Sequence, residues 1–490
     1  SWDTAADVDS VYKVYKHTSA FSPASTYLLG TTTTTSYTIS GLDNTTRYYF
    51  RVSGINKQGF EGTSAAIDMT PKFSGPVWWV AKNGDDTSGE GTSSNPFQTI
   101  MHAMHEANEG DTITIKPGTY TGDDNRDLDF DGKNMVLMSQ YPATWDSVII
   151  DAEKQNSHFK VGYNSNSSAA STITVSKTKV VGITLTNGED GSLRDNGTSG
   201  GGSVSLGNQA SVTFEKVLFI NNTIINNSST SSAGAVYMTH PGTHFINCRF
   251  ENNRSVLDGN NGNAQATGAI GINNWESYNN SAYSDIYTLI DGCEFVNNAG
   301  RNEGGAINAR HSTVIQNSYF KNNIAGDVSP SGTTSGGAHG GALAVMTWHV
   351  NQSGSTPIYS SFIHVINCVF VANSAQNGGG AISSYGSNGP IIFNSIFQNN
   401  REQNGNLNDF SFSGGSSDPK AKLDYIRVDP ETYFFGDGNA SYGNMTWGEN
   451  IFTADPAFVD SDNENFVLSA ASSLIGAGTE KYSEVIAPSK

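Results

Sequence analysis

Residues 293–308 read CEFVNNAGRNEGGAIN, and the pattern in this stretch recurs along much of the chain. Its first part is Phe-x-x-Asn, which is found at residues 219–222, 250–253, 295–298, 320–323, 370–373 and 397–400. Its second part is Gly-Gly-Ala followed by Ile or Leu, with copies at residues 304–307, 340–343 and 379–382 and weaker copies at 202–204, 234–236 and 268–270. Internal repetition at such a period is typical of repeat architectures.

Successive copies of the Phe are 25 to 50 residues apart, which predicts a unit of about 25 residues with insertions of variable length. Such a unit corresponds to one coil of a parallel β-solenoid. We expect each Phe to stack on the Phe of the next coil, and each Asn to join a hydrogen-bonded ladder of side chains. The Gly pair allows a tight backbone turn before the inward-facing Ala and Ile.

The three cysteines follow the same register. Cys248, Cys293 and Cys368 each lie two residues before a repeated Phe, and Ser318 fills that place in the intervening coil. All three are therefore expected to face inward. The pattern favours buried free thiols over a Cys248–Cys293 disulfide, and it gives the cysteines no catalytic role.

Residues 73–160 are expected to start and cap the solenoid. Residues 78–81 and 111–120 have strand patterns, and residues 100–107 between them predict a short amphipathic helix. A solenoid needs its open apolar end covered, and a short helix covers it. The region from Val80 to Tyr120 resembles the start of right-handed parallel β-helix proteins, which include many secreted polysaccharide lyases.

The repeats of residues 180–400 resemble those of the polymorphic outer-membrane proteins of chlamydiae, which are β-helical surface adhesins, and those of related bacterial surface proteins. Residues 161–490 are accordingly predicted to form the coils of the β-helix. Residues 455–478 resemble the last coils of such surface proteins, in which the pattern normally continues further. The C-terminal end is therefore expected to be truncated.

Residues 1–72 form short alternating runs separated by polar turns, which predicts a separate β-sandwich. Trp2 and the run Tyr48-Tyr-Phe50-Arg-Val52 resemble the early core Trp and a later strand of a fibronectin type III domain. That family has a strand before this Trp. We therefore expect a partial domain, which acts as a spacer, and a longer parent chain with further domains.

The composition narrows the class of protein. Charged residues make up 15% of the 490, Gly accounts for 53, and the net charge is −19. This balance provides no electrostatic reason to bind nucleic acid. No apolar run is long enough for a membrane-spanning helix. A chain rich in Gly, Asn, Ser and Thr with few helical patterns favours an all-β protein that is secreted or displayed at the cell surface.

One outer stripe of the solenoid is predicted beyond the Gly-Gly-Ala-Ile strands. Aromatic rings and a few polar groups along a solenoid suit an extended polysaccharide or cell-surface glycan. The glycan-binding candidates are Trp275, Arg310, Trp348 and Tyr385. The alternative is that Trp275 and Trp348 cover their own inserted loops.

A polysaccharide lyase needs a base and a cation that neutralises the uronate carboxylate. Candidates for the base are Arg310, His311, His349 and Tyr385. Weak candidates for Ca²⁺ ligands are Asp127, Asp129, Asp131, Glu189 and Asp190, for which solvated acids are the competing interpretation. A glycoside hydrolase needs two facing carboxylates, and the positions that match Glu303 one coil away carry no second acid.

The sequence thus predicts an all-β protein, with a right-handed parallel β-helix, an N-terminal helical cap and a partial fibronectin type III sandwich. The first functional hypothesis is a non-catalytic, adhesin-like module that presents an extended face to glycans. The alternative is a polysaccharide lyase or glycoside hydrolase on the same scaffold, with Ca²⁺ as the one cofactor to consider.

Overall fold

The structure is a computed structural model. It describes residues 8–40, 42, 46–56, 61–63, 67–70, 75–162, 177–190, 200–207, 210–226, 231–257, 266–273, 286–326, 338–347, 361–386, 389–413, 421–430 and 445–478. The chain divides into two compact units. The first contains Ser1–Gly75 and Glu90–Thr92, and the second contains Pro76–Gly89 and Ser93–Lys490.

The first unit is an antiparallel sheet. Its strands are Leu28–Thr32, Val8–His17, Tyr48–Asn56 and Glu61–Thr63 in spatial order, with Ile67–Met69 also paired to the third of these and a 3-10 turn at Ser25–Tyr27. Tyr12, Val14 and Tyr48 are buried, and the Tyr48 and Phe50 rings lie 6.2 Å apart. The strand pattern of the first 72 residues is therefore present, while Trp2 lies outside the described residues.

The second unit is a right-handed parallel β-helix, as the sequence predicts. From Lys179 onward each complete coil passes through four sheets in a fixed order, and we number the sheets 1 to 4. The described strands of sheet 1 are Val77–Val80, Thr112–Ile115, Val136–Ser139, Lys179–Val181, Thr213–Glu215, His244–Ile246, Thr288–Asp291, Thr313–Gln316, Ile363–Ile366, Ile391–Phe393, Ala421–Asp424 and Met445–Trp447. Those of sheet 2 are Gly118–Tyr120, Val148–Asp151, Thr184–Thr186, Leu218–Ile220, Arg249–Glu251, Glu294–Val296, Tyr319–Lys321, Val369–Val371, Ile396–Gln398, Ile426–Arg427 and Ile451–Phe452.

The remaining two sheets complete each coil. The described strands of sheet 3 are Glu189–Asp190, Thr223–Asn226, Arg254–Leu257, Ala299–Gly300, Ile324–Ala325, Ser374–Ala375 and Arg401–Glu402. Those of sheet 4 are Phe159–Val161, Val204–Leu206, Val236–Met238, Ile270–Ile272, Ile307–Ala309, Leu343–Thr347, Ile382–Gly386 and Phe410–Ser413. Ser232–Ala233 and Ala266–Thr267 form a separate parallel pair, and a 3-10 turn covers Asp123–Asn125.

The repeated Phe residues form one stack inside the solenoid. They occupy equivalent places in sheet 2, each paired in register with the next: Phe219, Phe250, Phe295, Phe320, Phe370 and Phe397. Adjacent ring centroids are 4.6 to 4.9 Å apart and the ring planes agree within 5°. The predicted Phe stack is confirmed, and it provides the apolar filling of the core.

The repeated Asn residues form the predicted ladder at the turn between sheets 2 and 3. Asn298 illustrates the pattern, because its Oδ1 accepts both the backbone N–H and the Nδ2–H of Asn253 at 3.0 Å. Its own Nδ2 donates to the Phe250 carbonyl at 2.9 Å and to Asn323 Oδ1 at 3.0 Å. The ladder ends where Asn400 donates to Asp409, whose carboxylate only accepts.

Glycine is required at the turn into sheet 4. Gly304 has a φ of +65°, which side chains disfavour. At Gly305 an added Cβ would lie 1.9 Å from the Gly341 carbonyl of the next coil. The Gly pair therefore reflects both a left-handed turn and a close approach of stacked backbones. This extends the explanation offered by the sequence, which considered the turn alone.

The buried cysteines and the cap also agree with the sequence. Cys248, Cys293 and Cys368 are free and fully buried. The helix Ile100–Glu106 buries Ile100, Ala103 and Met104 and contacts the first two strands of sheet 1, so it covers the start of the core. Among the described residues, no helix has the length and hydropathy needed to cross a membrane.

The tail differs from the prediction. Residues 455–478 were expected to form further coils, but Phe458–Asp460 and Asn465–Leu468 pair as an antiparallel hairpin that folds back onto the outer face of sheet 2. Glu464 Oε2 accepts from Arg249 at 2.7 Å and from the Tyr319 hydroxyl at 2.8 Å.

Further contacts fix this hairpin on the solenoid. Lys321 Nζ donates to the Ser461 and Asp462 carbonyls, and the Phe466 ring lies 5.0 Å from that of Tyr319. Arg249 also binds Glu251 and Glu294, so one guanidinium serves three carboxylates. These charge-assisted contacts explain why the segment folds back instead of continuing the repeat.

Glu464→Gln should loosen the hairpin. The substitution weakens two charge-assisted hydrogen bonds in a partly buried setting, and a loss of about 1.4 kcal/mol corresponds to a tenfold change in local opening. We expect amide hydrogen exchange over residues 458–468 to accelerate about tenfold. Glu449→Gln, at an exposed site nearby in sequence, is the control. Equal exchange in both variants would show that the ion pair does not hold the hairpin.

Candidate functional site

By their positions in the sequence, the candidates for glycan binding and for the base belong to the ends of the sheet 4 strands or to the connections that follow. Met346 pairs with Tyr385 on adjacent strands, and the Arg310 backbone N–H donates to the Ile272 carbonyl at 3.2 Å. The side chain of Tyr385 lies outside the described residues, and so do Trp275, Trp348 and His349. The two that the structure describes fully are Arg310 and His311.

The sequence predicts that Arg310 faces solvent, but the structure buries its side chain. Its side chain is buried, with 6% of the residue exposed, and its guanidinium donates to Glu303 Oε2 at 2.9 Å. The same carboxylate oxygen accepts from Asn308 Nδ2 at 2.7 Å, and Met346 Sδ lies 3.0 Å from the guanidinium. A buried guanidinium requires such partners. The expectation that Arg310 lies on an exposed stripe is therefore wrong, and its contacts indicate that it positions Glu303.

His311 is also buried, with none of its surface exposed, which again corrects the predicted outward placement. Burial, together with the neighbouring His240, lowers the pKa of His311 to about 4. The ring is therefore neutral at pH 7 and a weaker base than an exposed histidine. Both corrections have one cause: in sheet 4, side chains on both faces of the strands are buried.

Glu303 has the neighbour that the coil alignment predicts. It forms a parallel bridge with His339 one coil away, so no acid stands beside it at that position. His339 Nδ1 lies 2.7 Å from the Asn377 carbonyl, and burial lowers its pKa. The described residues therefore place a histidine and not a second carboxylate beside Glu303.

The calcium candidates occupy separate environments. Asp127 pairs with Lys160 Nζ at 2.7 Å, Asp129 accepts the Asp131 backbone N–H, and burial raises the pKa of Asp129. Asp190 is buried beside Ser157, and Glu189 precedes it in a strand of sheet 3. Across the described ranges, no three His, Cys, Asp or Glu side chains lie close enough to hold a metal ion. The described residues therefore do not bring the five candidates together as one cluster of acids.

Sheet 1 carries an aromatic surface that sequence reasoning missed. The aromatic stripe consists of His244, Tyr287, Phe362 and His364. The His244 and Tyr287 rings are stacked with centroids 6.2 Å apart, Tyr287 and Phe362 are also 6.2 Å apart, and Phe362 lies 4.8 Å from His364. Tyr287 is 38% exposed.

The signal for this stripe is present in the sequence but weak. Tyr287 and Phe362 each stand directly before a sheet 1 strand, at the end of a long connection. The Gly-Gly-Ala-Ile motif aligns the positions that follow its own strand, whereas these two residues precede the next strand. An alignment counted backward from the repeated Phe would place Tyr287 eight residues before Phe295 and Phe362 eight residues before Phe370.

Comparison with known proteins gives limited matches. No protein-family model matches the chain. A segment of 78 residues is 33% identical to the uncharacterized protein YwoF of Bacillus subtilis (strain 168), and the match covers 14% of this chain and 16% of that protein. The chain thus spans about a sixth of the length of this curated relative.

Two solved structures align over much of the chain at low similarity. One is described as a rhamnogalacturonan lyase, with 14% identity, a TM-score of 0.45 and coverage of 79% of this chain and 92% of its own. The other is a crystal structure of pectate lyase Pel9A, with 14% identity, a TM-score of 0.32 and coverage of 84% and 94%. At these values the alignments transfer no activity to this chain.

Lowering the pH should destabilise the protein through His311. The folded state holds this ring neutral, with a pKa of about 4, whereas the unfolded chain takes up a proton near pH 6.5. The contribution of neutral His311 to the free energy of unfolding is therefore fully present above pH 6.5. It is lost as the pH falls toward 4, which lowers the free energy of unfolding by up to about 3 kcal/mol.

Urea unfolding at pH 7 and pH 4.5 measures this effect. We expect His311→Gln to lose less stability between the two pH values than the wild type does. His105→Gln, at an exposed position of the cap helix, should keep the wild-type dependence. Identical pH dependence in the wild type and His311→Gln would contradict the assignment.

Proposed function

We propose that this chain is an extracellular β-helix module that binds glycans at the corner between sheets 4 and 1. The observation that carries the proposal is where the coils vary in length. From Lys179 to Gln398, every connection from sheet 1 to sheet 2 and from sheet 2 to sheet 3 has two residues, such as Asn247 and Cys248. Within this range, long connections occur only on the two sides of sheet 4.

The connections that lead from sheet 4 into sheet 1 differ most in length from one coil to the next. Residues 273–287 join Ile272 to Thr288 and residues 348–362 join Thr347 to Ile363, whereas residues 310–312 join Ala309 to Thr313. A rigid scaffold with variable loops at one edge is the usual arrangement of a binding site. The core of each coil constrains the short turns, so insertions beside sheet 4 support a function there.

The predicted binding residues belong to this corner. Trp275 is in the first long connection, Trp348 and His349 are in the second, and Tyr385 is in the sheet 4 strand of the next coil. Tryptophan rings stack on the C–H faces of pyranose rings. In this proposal the tryptophans contact the glycan, Tyr385 adds a further ring, and Arg310 holds Glu303 in place.

A lyase on the same scaffold is the alternative. Its described base candidates are a paired, buried guanidinium and a buried histidine with a pKa of about 4, neither of which is a strong base aimed at solvent. The described residues thus favour binding over cleavage. Release of unsaturated uronates from polygalacturonate by the wild type would establish the alternative, and its loss in His349→Ala or Tyr385→Ala would identify the base.

The context of the module is part of the same proposal. We infer an adhesin-like protein of a bacterial surface, in which the first unit is a fibronectin type III-like spacer. The acidic charge of −19 and the low content of charged residues support a secreted location and a partner other than nucleic acid.

Trp348→Ala and Trp275→Ala should each weaken glycan binding about tenfold or more, because each removes a stacking ring. Affinity electrophoresis against a panel of soluble neutral and acidic polysaccharides measures the change. Trp145→Ala is the matched control, since Trp145 lies in a connection between sheets 1 and 2. If both test variants bind as tightly as the wild type, the tryptophans do not contact the glycan. If the wild type binds no polysaccharide, the proposed function is wrong.

A further inference from the structure

We propose that the aromatic stripe on the outer face of sheet 1 is the surface that receives the glycan, and that the glycan is a neutral polysaccharide lying along the solenoid axis. This inference rests on the proposed function and adds the place of the ligand and its chemical class. The stripe follows directly after the two long connections, because Tyr287 and Phe362 are their last residues.

The coil register builds the stripe. His244, Leu289, Val314, His364 and Ile391 pair in one row across successive strands of sheet 1. In the row before it, Thr288, Thr313 and Ile363 pair across three coils, so Tyr287, Ser312 and Phe362 precede them in the same order. The small side chain of Ser312 separates the two aromatic residues.

The rings approach each other across this intermediate coil. Strands in a sheet are about 4.8 Å apart, so residues two coils apart are separated by about 10 Å at the backbone. The Tyr287 and Phe362 centroids are nevertheless 6.2 Å apart, which requires both rings to lean over Ser312. The result is a continuous surface of rings along four coils, on which a chain of pyranose rings has room to stack.

Three of the four stripe residues are accessible. Tyr287 is 38% exposed, Phe362 and His244 are half-buried, and Leu289 and Val314 between them are also half-buried, whereas His364 is buried beneath the Phe362 ring. The corresponding outward positions of sheet 4 are buried. Of the two surfaces beside the long connections, sheet 1 is therefore the one that a polymer reaches without rearrangement of the described residues.

The charges around the stripe select against an acidic glycan. The described sheet 1 strands from Thr213 to Phe393 contain no Lys or Arg, and Lys179 and Lys422 lie only at the ends of the row. Glu215 and Asp291 occupy the neighbouring outward row. Lys216, directly after Glu215, is the one Lys or Arg in the described turns that follow these strands. A uronate chain would therefore meet a surface that is mostly negative, whereas a neutral chain would not be repelled by it.

Ordered amides lie at the turn that follows these strands, with Asn367 three residues after His364 and five after Phe362. At the adjacent turn, Asn317 Nδ2 donates to Asp291 Oδ1 at 2.8 Å, and Asn367 Nδ2 donates to Asn317 Oδ1 at 3.1 Å. Both asparagines are exposed.

The test is a titration of the full chain with soluble xylan, galactan, mannan and β-glucan, and with polygalacturonate as the acidic probe. We expect one or more neutral polymers to bind and polygalacturonate not to bind. Tyr287→Ala and Phe362→Ala should each lower the affinity about tenfold. Tyr141→Ala is the control, because Tyr141 is 55% exposed but lies in a connection between sheets 1 and 2.

The outcomes separate this inference from the proposed function. Thermal unfolding of each variant identifies loss of fold, and Tyr287→Leu, which keeps an apolar side chain without a ring, should also bind weakly. Wild-type affinity in Tyr287→Ala and Phe362→Ala, with loss in Trp348→Ala, would overturn the stripe and leave the proposed function intact. Preference for polygalacturonate would overturn the neutral class, and binding of no polymer would overturn both proposals.

Discussion

The structure depends on how buried turns satisfy their hydrogen bonds. Each coil turns from sheet 2 to sheet 3 in two residues, and the first of these has a φ of 56° to 57° in six successive coils. The second is a fully buried Asn in each of these coils. Its amide satisfies backbone and side-chain groups of the coils on either side, which no apolar side chain provides. The Phe three residues earlier then fills the space that this turn encloses.

This constraint separates the coil into fixed and variable parts. Where the Asn ladder and the Phe stack lie, each coil must have the same length, because a shift of one residue would remove a buried amide from its partners. At sheet 4 the requirement is only that glycine allow adjacent backbones to approach. Insertions therefore accumulate beside sheet 4, and the surface that they border is the one to which we assign binding. The hairpin at Phe458–Leu468 shows that another outer face, that of sheet 2, is used for intramolecular contacts.

The sequence predicts the interior of this protein better than its surface. The Phe, Asn, Gly and Cys positions repeat because each must match an identical neighbour, so their roles follow from spacing alone. Arg310 and Glu464 have no such repetition: each is fixed by partners that become adjacent only after folding. The alternation of strand residues predicts on which side of the strand Arg310 lies. It does not indicate whether that side is covered, and in sheet 4 the outer face is buried. The aromatic stripe escaped detection for a related reason, since its rings come from different coils and no single segment contains them.

The most direct test of this account is the free energy of unfolding of Asn298→Ala compared with that of Asn404→Ala, measured by urea denaturation. The first variant leaves the N–H groups of Asn253 and the carbonyl of Phe250 without their partner in the core. Each unsatisfied buried group costs about 1 to 3 kcal/mol, so we expect a loss of at least about 3 kcal/mol. Asn404 is exposed, and its replacement should cost less than about 1 kcal/mol. Equal stability of the two variants would contradict the conclusion that the asparagine ladder holds the coils in register.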